Sequence, residues 1–220
     1  MSFTLHPIAR LTAPLVNKLF LKRVEGLDNI PKTGPYILAA NHVSVPDEWL
    51  IGNIILQKGN KRLWFIGRDD FWSAKWWSKL TARVLGALLI DWRDPAAVLK
   101  RTLAILRAGG IVATFPEGVR NFDTRALVLG KTGTVRLALW ARCPIIPVGY
   151  RGPNIVTTWD VFKNFFLARH TATIIFGEPI DFSDYYQTPI TRRLLYELTD
   201  KMMVEIGKLC GRRPRLHEYL

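Results

Sequence analysis

Short apolar runs alternate with helix-patterned segments along this chain, and this alternation constrains the fold more than any other feature. Residues 36–40 (YILAA) and 111–115 (IVATF) each follow a glycine-containing turn, as is typical of strands buried in a sheet. A third run at 85–90 precedes Asp94 and Pro95, which begin a segment with leucines at helical spacing that a Gly-Gly pair ends. A strand, a helix and a returning strand predict a right-handed parallel crossover.

The rest of the chain continues this pattern and predicts one α/β domain. Further strands are expected at 63–66, 145–150 and 171–176, and further helices at 46–57, 132–141 and 191–209. A chain of 220 residues, 49% of them apolar, buries a full core as a single domain. We therefore expect a largely parallel mixed sheet flanked by helices over residues 31–220, preceded by an amphipathic N-terminal segment over residues 1–30.

The N-terminal segment carries Ile8, Leu11, Leu15 and Leu19 at helical spacing. Its prolines and charged residues exclude a continuous membrane span and the apolar core of a signal peptide. Two interpretations stay open: the apolar stripe lies on a membrane surface as an anchor, or it packs on the core of the domain.

A strong positive charge restricts the kinds of partner. The chain has 31 Lys and Arg against 18 Asp and Glu, a net charge of +13, which indicates nucleic acid, a phosphorylated metabolite or an acidic membrane surface. Five of the eight Trp fall between residues 64 and 92 among several Lys and Arg, a mixture that suits a membrane–water interface or ordinary core packing. Only Cys143 and Cys210 are present, which favours a reducing compartment.

Titratable or charged residues follow three of the predicted strands. His42, Arg93 and Glu117 each lie just past the carboxyl end of a strand, which is the edge where parallel α/β sheets bind ligands. His42 is followed by Asp47 at the start of a predicted helix. Asp47 is either a helix cap or a carboxylate that orients the imidazole, as the Asp of a Ser-His-Asp triad does.

Four short blocks stand at or near these strand ends. Residues 41–47 read NHVSVPD, residues 115–120 read FPEGVR, residues 86–93 read GALLIDWR and residues 144–148 read PIIPV. The first two match the NHxxxxD and FPEGxR blocks of the glycerolipid acyltransferases, and the other two resemble that family's remaining blocks. In the order in which they occur along the chain, 41–47, 86–93, 115–120 and 144–148, they make the chain similar to the family's bacterial 1-acyl-glycerol-3-phosphate (lysophosphatidic acid) acyltransferase group.

The resemblance implies a role for each block. His42 would be the general base that takes the proton of an acceptor hydroxyl, and Asp47 would orient it. Guanidinium groups suit the acceptor phosphate, and backbone N–H groups near Gly118 or a nearby cation would stabilise the oxyanion. Glu117 would help to hold the acceptor. The expected substrate-binding residues are Arg93, Glu117, Gly118, Arg120 and Lys131.

The same resemblance implies a reaction and its partners. A fatty acyl group would pass from acyl-CoA or acyl carrier protein to the free hydroxyl of 1-acylglycerol 3-phosphate, giving phosphatidic acid in phospholipid synthesis. Val119 and Asn121 stand where the family commonly has Thr and Ser, so another lysophospholipid, glycerol 3-phosphate or a glycolipid is an alternative acceptor. We expect a peripheral or monotopic protein at the cytoplasmic face of the membrane, with no cofactor beyond the acyl donor, no metal and no nucleic-acid partner.

Three other classes of function fit the sequence less well. Residues 130–132 (GKT) imitate the end of a phosphate-binding P-loop, but Arg125 stands where that motif needs Gly. His42 has no second His at metal-ligand spacing, which argues against a metal hydrolase. A non-catalytic basic membrane-binding module remains as an alternative, although the complete set of His, Asp, Glu and Arg residues favours an enzyme.

Overall fold

Strands and helices follow the predicted alternation from residue 36 onward. The structure is a computed structural model that describes residues 14–15, 17–43, 47–59, 63–68, 87–90, 94–153, 157, 159–160, 162–163 and 170–218. Several residues selected from the sequence lie outside these ranges: Ile8, Leu11, Arg93 and four of the five clustered tryptophans.

One sheet contains seven strands of the described chain. They are β1 (Leu21–Glu25), β2 (Tyr36–Ala40), β3 (Leu63–Arg68), β4 (Ala87–Ile90), β5 (Ile111–Thr114), β6 (Ile145–Arg151) and β7 (Ala172–Phe176). Their order across the sheet is β1-β7-β6-β2-β5-β3-β4. The strands from β6 to β4 in that order are parallel, whereas β7 is antiparallel to β6 and parallel to β1. The predicted largely parallel mixed sheet is therefore confirmed.

Side-chain N-caps explain why the starts of two helices were predictable from the sequence. The longest helices of the described residues are α1 (Asp47–Gly59), α2 (Pro95–Arg107), α3 (Gly133–Ala141) and α4 (Arg192–Cys210). At the start of α2, the Asp94 carboxylate accepts a hydrogen bond from the Ala97 N–H at 3.1 Å. At the start of α4, the Thr191 hydroxyl accepts one from the Leu194 N–H, also at 3.1 Å. Each cap pairs an N–H group that the first helical turn leaves without a partner.

Strand β2 lies between two cores because its side chains alternate in direction. Tyr36, Leu38 and Ala40 pack in the core that includes α1, whereas Ile37 and Ala39 pack in the core that includes α2, α3 and α4. All five are at most 2% exposed, which is why this strand reads as a continuous apolar run. Helices therefore cover both faces of the sheet, and the paired strands β2 and β5 end side by side at one edge.

The described part of the N-terminal segment is integrated into the domain. Residues 21–30, expected to precede the domain, form β1 and the 3-10 turn Leu27–Asn29. Phe20 is buried in the α1-side core and Leu19 packs against that core, whereas Leu15 is 59% exposed. No helix among the described residues is long and apolar enough to cross a bilayer.

Candidate active site

His42 and Asp47 form a hydrogen-bonded pair between the end of β2 and the start of α1. The Nδ1 atom of His42 lies 3.0 Å from Oδ2 and 3.2 Å from Oδ1 of Asp47. The Asp47 side chain is fully buried, and the His42 side chain is 16% exposed. Because an ionised carboxylate only accepts hydrogen bonds, the proton of the neutral imidazole is assigned to Nδ1. The lone pair on Nε2 is then available to a substrate.

Asp47 also binds the backbone on both sides of its own position. Its Oδ2 accepts a hydrogen bond from the Val43 N–H at 2.8 Å, and its Oδ1 accepts one from the Glu48 N–H at 2.7 Å. These bonds hold the carboxylate beside the imidazole. The two interpretations of Asp47 are therefore combined, because the same carboxylate pairs an amide of the first helical turn and orients His42.

The surroundings of His42 set both its orientation and its pKa. The imidazole stacks on Phe115, with 4.2 Å between ring centroids and 24° between ring planes. Burial lowers the pKa of His42, but the hydrogen bond and charge of Asp47, together with the charge of Glu48, outweigh it. The pKa of His42 consequently lies above its ordinary value, even though the charge of Arg120 acts in the opposite direction. The imidazolium that forms on proton transfer is thereby stabilised.

Glu48 faces the other ring nitrogen of His42 and was missed by the sequence analysis. Its Oε1 lies 3.8 Å from Nε2. Although 32% of the Glu48 side chain is exposed, protein atoms crowd the carboxylate, and this burial raises its pKa to about 7. The charges of His42 and Arg120 lower that pKa, and the charge of Asp47 raises it. The signal in the sequence is an acidic residue directly after the Asp of the motif.

Glu117 is buried beside the backbone of His42 and uses both carboxylate oxygens on protein donors. It is 1% exposed. Its Oε1 accepts a hydrogen bond from the His42 N–H at 3.1 Å, and its Oε2 accepts from Asn121 Nδ2 at 2.7 Å and the Val128 N–H at 2.8 Å. We expected Glu117 to help hold the acceptor. In this geometry its carboxylate instead joins His42 to the loop over residues 116–131.

Asn121 completes the connection between that loop and His42. Its backbone N–H donates to the His42 carbonyl oxygen at 2.7 Å. Its side-chain Nδ2, already bonded to Glu117, also donates to the Ala126 carbonyl oxygen at 2.8 Å. Asn121 is 6% exposed, whereas Val119 is 39% exposed. Of the two departures from the family pattern, Asn121 thus holds the loop, and Val119 presents its side chain to solvent.

Gly118 and Lys131 lie against each other near the carboxyl end of β5. Gly118 has a φ of +69°, in the left-handed region that favours glycine. A Cβ on Gly118 would lie 2.7 Å from Lys131 Cε and would collide with Lys131 Nζ, so the lysine side chain lies across the glycine. The Gly118 N–H donates to the Phe115 carbonyl oxygen at 2.9 Å. The Gly118 N–H therefore already has an acceptor within the protein.

Arg120 lies near enough to His42 and Glu48 for its charge to lower the pKa of each. The structure therefore brings together six of the seven predicted site residues: His42, Asp47, Glu117, Gly118, Arg120 and Lys131. The seventh, Arg93, lies outside the described residues. Within the described ranges, no group of three or more His, Cys, Asp or Glu side chains is placed to hold a metal ion.

Asn41 ties β2 to β6 next to the site. Its Nδ2 donates to the Tyr150 carbonyl oxygen at 3.1 Å, and its Oδ1 accepts from the Tyr150 N–H at 2.7 Å. Asn41 is 1% exposed, so these bonds satisfy a buried amide. The paired strand ends fix the direction in which the chain leaves the sheet towards His42. A buried Asn directly after an apolar strand is the signal that marks this role in the sequence.

Comparisons with known proteins agree with the geometry. Residues 22–151 match the family model described as Acyltransferase. The 1-acyl-sn-glycerol-3-phosphate acyltransferase of Bacillus subtilis (strain 168) is 25% identical over 195 residues, which are 88% of this chain and 90% of that protein. A chloroplastic 1-acyl-sn-glycerol-3-phosphate acyltransferase of Arabidopsis thaliana is 29% identical over 161 residues, which are 67% of this chain and 44% of that protein.

Among solved structures, the 1-acyl-sn-glycerophosphate (LPA) acyltransferase PlsC from Thermotoga maritima is similar, with a TM-score of 0.62 and 20% sequence identity. The similarity covers 93% of this chain and 76% of that chain. It shows that the two proteins share a fold. The family resemblance predicted from the four blocks is confirmed, because the matched range contains all of them.

Proposed function

Because this chain belongs to the acyltransferase family and is an acyltransferase, we propose that it transfers a fatty acyl group from acyl-CoA or acyl carrier protein to the free hydroxyl of 1-acylglycerol 3-phosphate. The product is phosphatidic acid, an intermediate of phospholipid synthesis. The observation that carries the proposal is the His42–Asp47 pair, which leaves Nε2 of His42 as a base. The names of the relatives from Bacillus subtilis and Arabidopsis thaliana support this acceptor.

In the proposed reaction, His42 Nε2 takes the proton of the acceptor hydroxyl while the hydroxyl oxygen bonds to the thioester carbonyl carbon. Asp47 holds the Nδ1–H and stabilises the imidazolium. The tetrahedral intermediate then expels the donor's thiolate, which receives the proton from His42, so an ester and a free thiol remain. The nucleophile belongs to the substrate and the thioester is already activated. The transfer therefore needs no protein nucleophile and no further cofactor.

Positive charge at the same edge of the sheet suits an acceptor that carries a phosphate. The charge of Arg120 acts on His42, and the Lys131 side chain lies across Gly118; we assign both to the acceptor phosphate together with Arg93. The position of Lys131 Nζ against Gly118 also suits stabilisation of the oxyanion. Cations near the pair would place the acceptor hydroxyl close to His42 Nε2.

A membrane location follows from the nature of the acceptor and has support on the protein surface. Trp159 and Phe162 are 61% and 49% exposed, and their rings stack with 5.3 Å between centroids. Lys163 Nζ lies 5.9 Å from the Trp159 ring centroid. Exposed aromatic rings beside a cation suit an interface with anionic lipid, as does the net charge of +13. We propose a peripheral or monotopic attachment at the cytoplasmic face.

The test is phosphatidic acid formation by the purified full chain from 1-acylglycerol 3-phosphate with acyl-CoA or with acyl carrier protein. Turnover should disappear in His42→Ala and persist in His170→Ala, a surface histidine outside the site. Turnover of glycerol 3-phosphate, another lysophospholipid or a glycolipid, without phosphatidic acid formation, would reassign the acceptor. A folded protein that binds vesicles but transfers no acyl group to any of these acceptors would exclude the enzymatic function.

A further inference from the structure

A basic cleft lies between the loop that follows the FPEG block and the C-terminal tail. It has a volume of about 450 Å³ and is lined by Asp123, Arg125, Ala126, Arg213, Pro214 and Arg215. Two backbone hydrogen bonds join its walls: the Arg213 N–H donates to the Arg125 carbonyl oxygen at 2.9 Å, and the Leu127 N–H donates to the Arg213 carbonyl oxygen at 2.8 Å. These bonds make one continuous surface from segments distant in sequence.

The tail wall of the basic cleft is anchored on α4. His217 Nδ1 lies 2.7 Å from Asp200 Oδ1, and both side chains are only 8% exposed. The His217 ring also stacks on Tyr196, with 4.1 Å between ring centroids. Because a buried pair and a ring stack already hold the tail in place, ligand binding does not have to order it. The cleft is therefore preformed, which lowers the entropic cost of binding.

The basic cleft is connected to the backbone of His42 through Asn121. The Ala126 carbonyl oxygen on its wall accepts a hydrogen bond from Asn121 Nδ2 at 2.8 Å. The backbone N–H of Asn121 in turn donates to the His42 carbonyl oxygen at 2.7 Å. A single residue thus separates the cleft wall from the backbone of the general base. The cleft wall therefore belongs to the loop that contacts the backbone of the general base.

The charges in the cleft suit a phosphorylated nucleotide. Within the described part of the chain, the guanidinium groups of Arg125, Arg213 and Arg215 form no ion pair with a carboxylate. Asp123 accepts a hydrogen bond from the Arg125 N–H at 2.8 Å; this bond, with a second from the Ala126 N–H and the charges of Arg125 and Arg215, holds the pKa of Asp123 below its ordinary value. The cleft therefore offers three cations for phosphate oxygens and one ionised acceptor for an amino group. Pro214 adds an apolar side chain to the lining of the cleft.

We propose that the basic cleft binds the 3′-phosphoadenosine diphosphate end of acyl-CoA, with the three arginines on the phosphates and Asp123 accepting from the adenine amino group. This assignment rests on the proposed function and selects coenzyme A as the carrier of the acyl group. The cleft volume lies within the range of roughly 300–1,000 Å³ found for small-molecule sites. A carrier protein would instead need a broad exposed surface.

Binding is tested with adenosine 3′,5′-bisphosphate as the probe, by calorimetric titration of the purified full chain. We expect saturable binding that weakens at least tenfold in the double variant R213A/R215A, because charge-assisted hydrogen bonds to phosphate are lost. The matched control R101A/R107A removes the same charge from exposed positions on α2 and should bind as the wild type does. Absence of binding to the wild type, or equal weakening in the control, would overturn the assignment.

Kinetics with a shortened donor separate nucleotide recognition from damage to the loop. With acyl-CoA, R213A/R215A should raise the donor KM at least tenfold and leave kcat unchanged. With acyl-pantetheine of the same chain length, which lacks the nucleotide, the variant and the wild type should have the same KM. Equal losses with both donors would overturn the proposal in favour of a structural role. A loss confined to acyl carrier protein would overturn it in favour of a protein partner.

The binding titration and the turnover assay also distinguish this proposal from the proposed function. If the wild type binds the bisphosphate through these arginines but forms no phosphatidic acid, the acceptor assignment fails and the nucleotide site stands. If phosphatidic acid forms from acyl-CoA but the bisphosphate does not bind, the nucleotide site fails and the proposed function stands. The single variant R125A repeats the binding measurement without altering the tail.

Discussion

Replacing Asp47 by Asn tests the central geometry of the site, because the substitution preserves the shape of the side chain and changes only its charge and hydrogen bonding. The carboxylate accepts hydrogen bonds from His42 Nδ1, the Val43 N–H and the Glu48 N–H, at 3.0, 2.8 and 2.7 Å. An amide offers one oxygen and one NH2 group in the same space. Whichever way the amide turns, its NH2 group faces a backbone N–H that has an acceptor in the wild type and loses it in the variant.

The loss of one buried backbone partner should lower the free energy of unfolding by about 1–3 kcal/mol. The effect on catalysis should be larger. With the NH2 group towards the imidazole, Nδ1 becomes an acceptor and the proton moves to Nε2, which then cannot act as a base. With the oxygen towards the imidazole, the negative charge that stabilises the imidazolium is still lost. We expect kcat to fall by about 10³- to 10⁴-fold, or about 4–5.5 kcal/mol in activation free energy.

The measurement is the rate of phosphatidic acid formation per folded molecule, with the folded fraction taken from circular dichroism and thermal unfolding. Asp28→Asn is the matched control, since Asp28 is fully exposed. If Asp47 were only a helix cap, Asp47→Asn would lower stability by about 1 kcal/mol and leave the turnover of folded molecules intact. A loss of less than tenfold in a folded variant would therefore refute the orienting role.

Three further substitutions test neighbouring parts of the site. Glu48→Gln removes a charge that raises the pKa of His42, so the acid limb of the pH profile of kcat/KM should move to lower pH than in the wild type. An unmoved limb would contradict the contact with Nε2. In Glu117→Gln, the new amide cannot accept all three hydrogen bonds that the Glu117 carboxylate accepts in the wild type. A thermal unfolding scan should therefore show a lower melting temperature, and a turnover assay should show a drop in kcat of at least tenfold. Gly118→Ala should raise the acceptor KM because the new Cβ displaces Lys131. A double-mutant cycle with Lys131→Ala checks this: if the changes in acceptor KM of the two single variants simply add, the two residues do not interact.

The strands and helices near the site were predictable because their signals are local. The apolar run in β2 and the Asp94 and Thr191 caps each depend on residues within one or two turns of chain. Strand β1 was missed because none of its residues is fully buried and its pairing in the described sheet is with β7 alone. Such an edge strand has no continuous apolar run to reveal it.

The roles of individual site residues were predictable only in part. Motif spacing selected His42 and Asp47, and the structure places them in hydrogen-bond contact. It also selected Glu117, but the direction of that carboxylate depends on donors from three separate positions along the chain. Glu48 adjoins the motif, yet only the turn of α1 brings its carboxylate towards Nε2 of His42.

The sequence by itself determined the class of fold, the edge of the sheet that carries the site and the pair at its centre. These features follow from apolar periodicity and from the spacing of a few polar residues, which are properties of neighbouring positions. Tertiary structure alone decided that Glu117 turns inward and that the tail at Arg213 meets the loop at Arg125 to enclose a basic cleft. Contacts of this kind join residues that are far apart in the chain. The packing of whole helices and strands sets the geometry of these contacts, and no local sequence pattern encodes that packing.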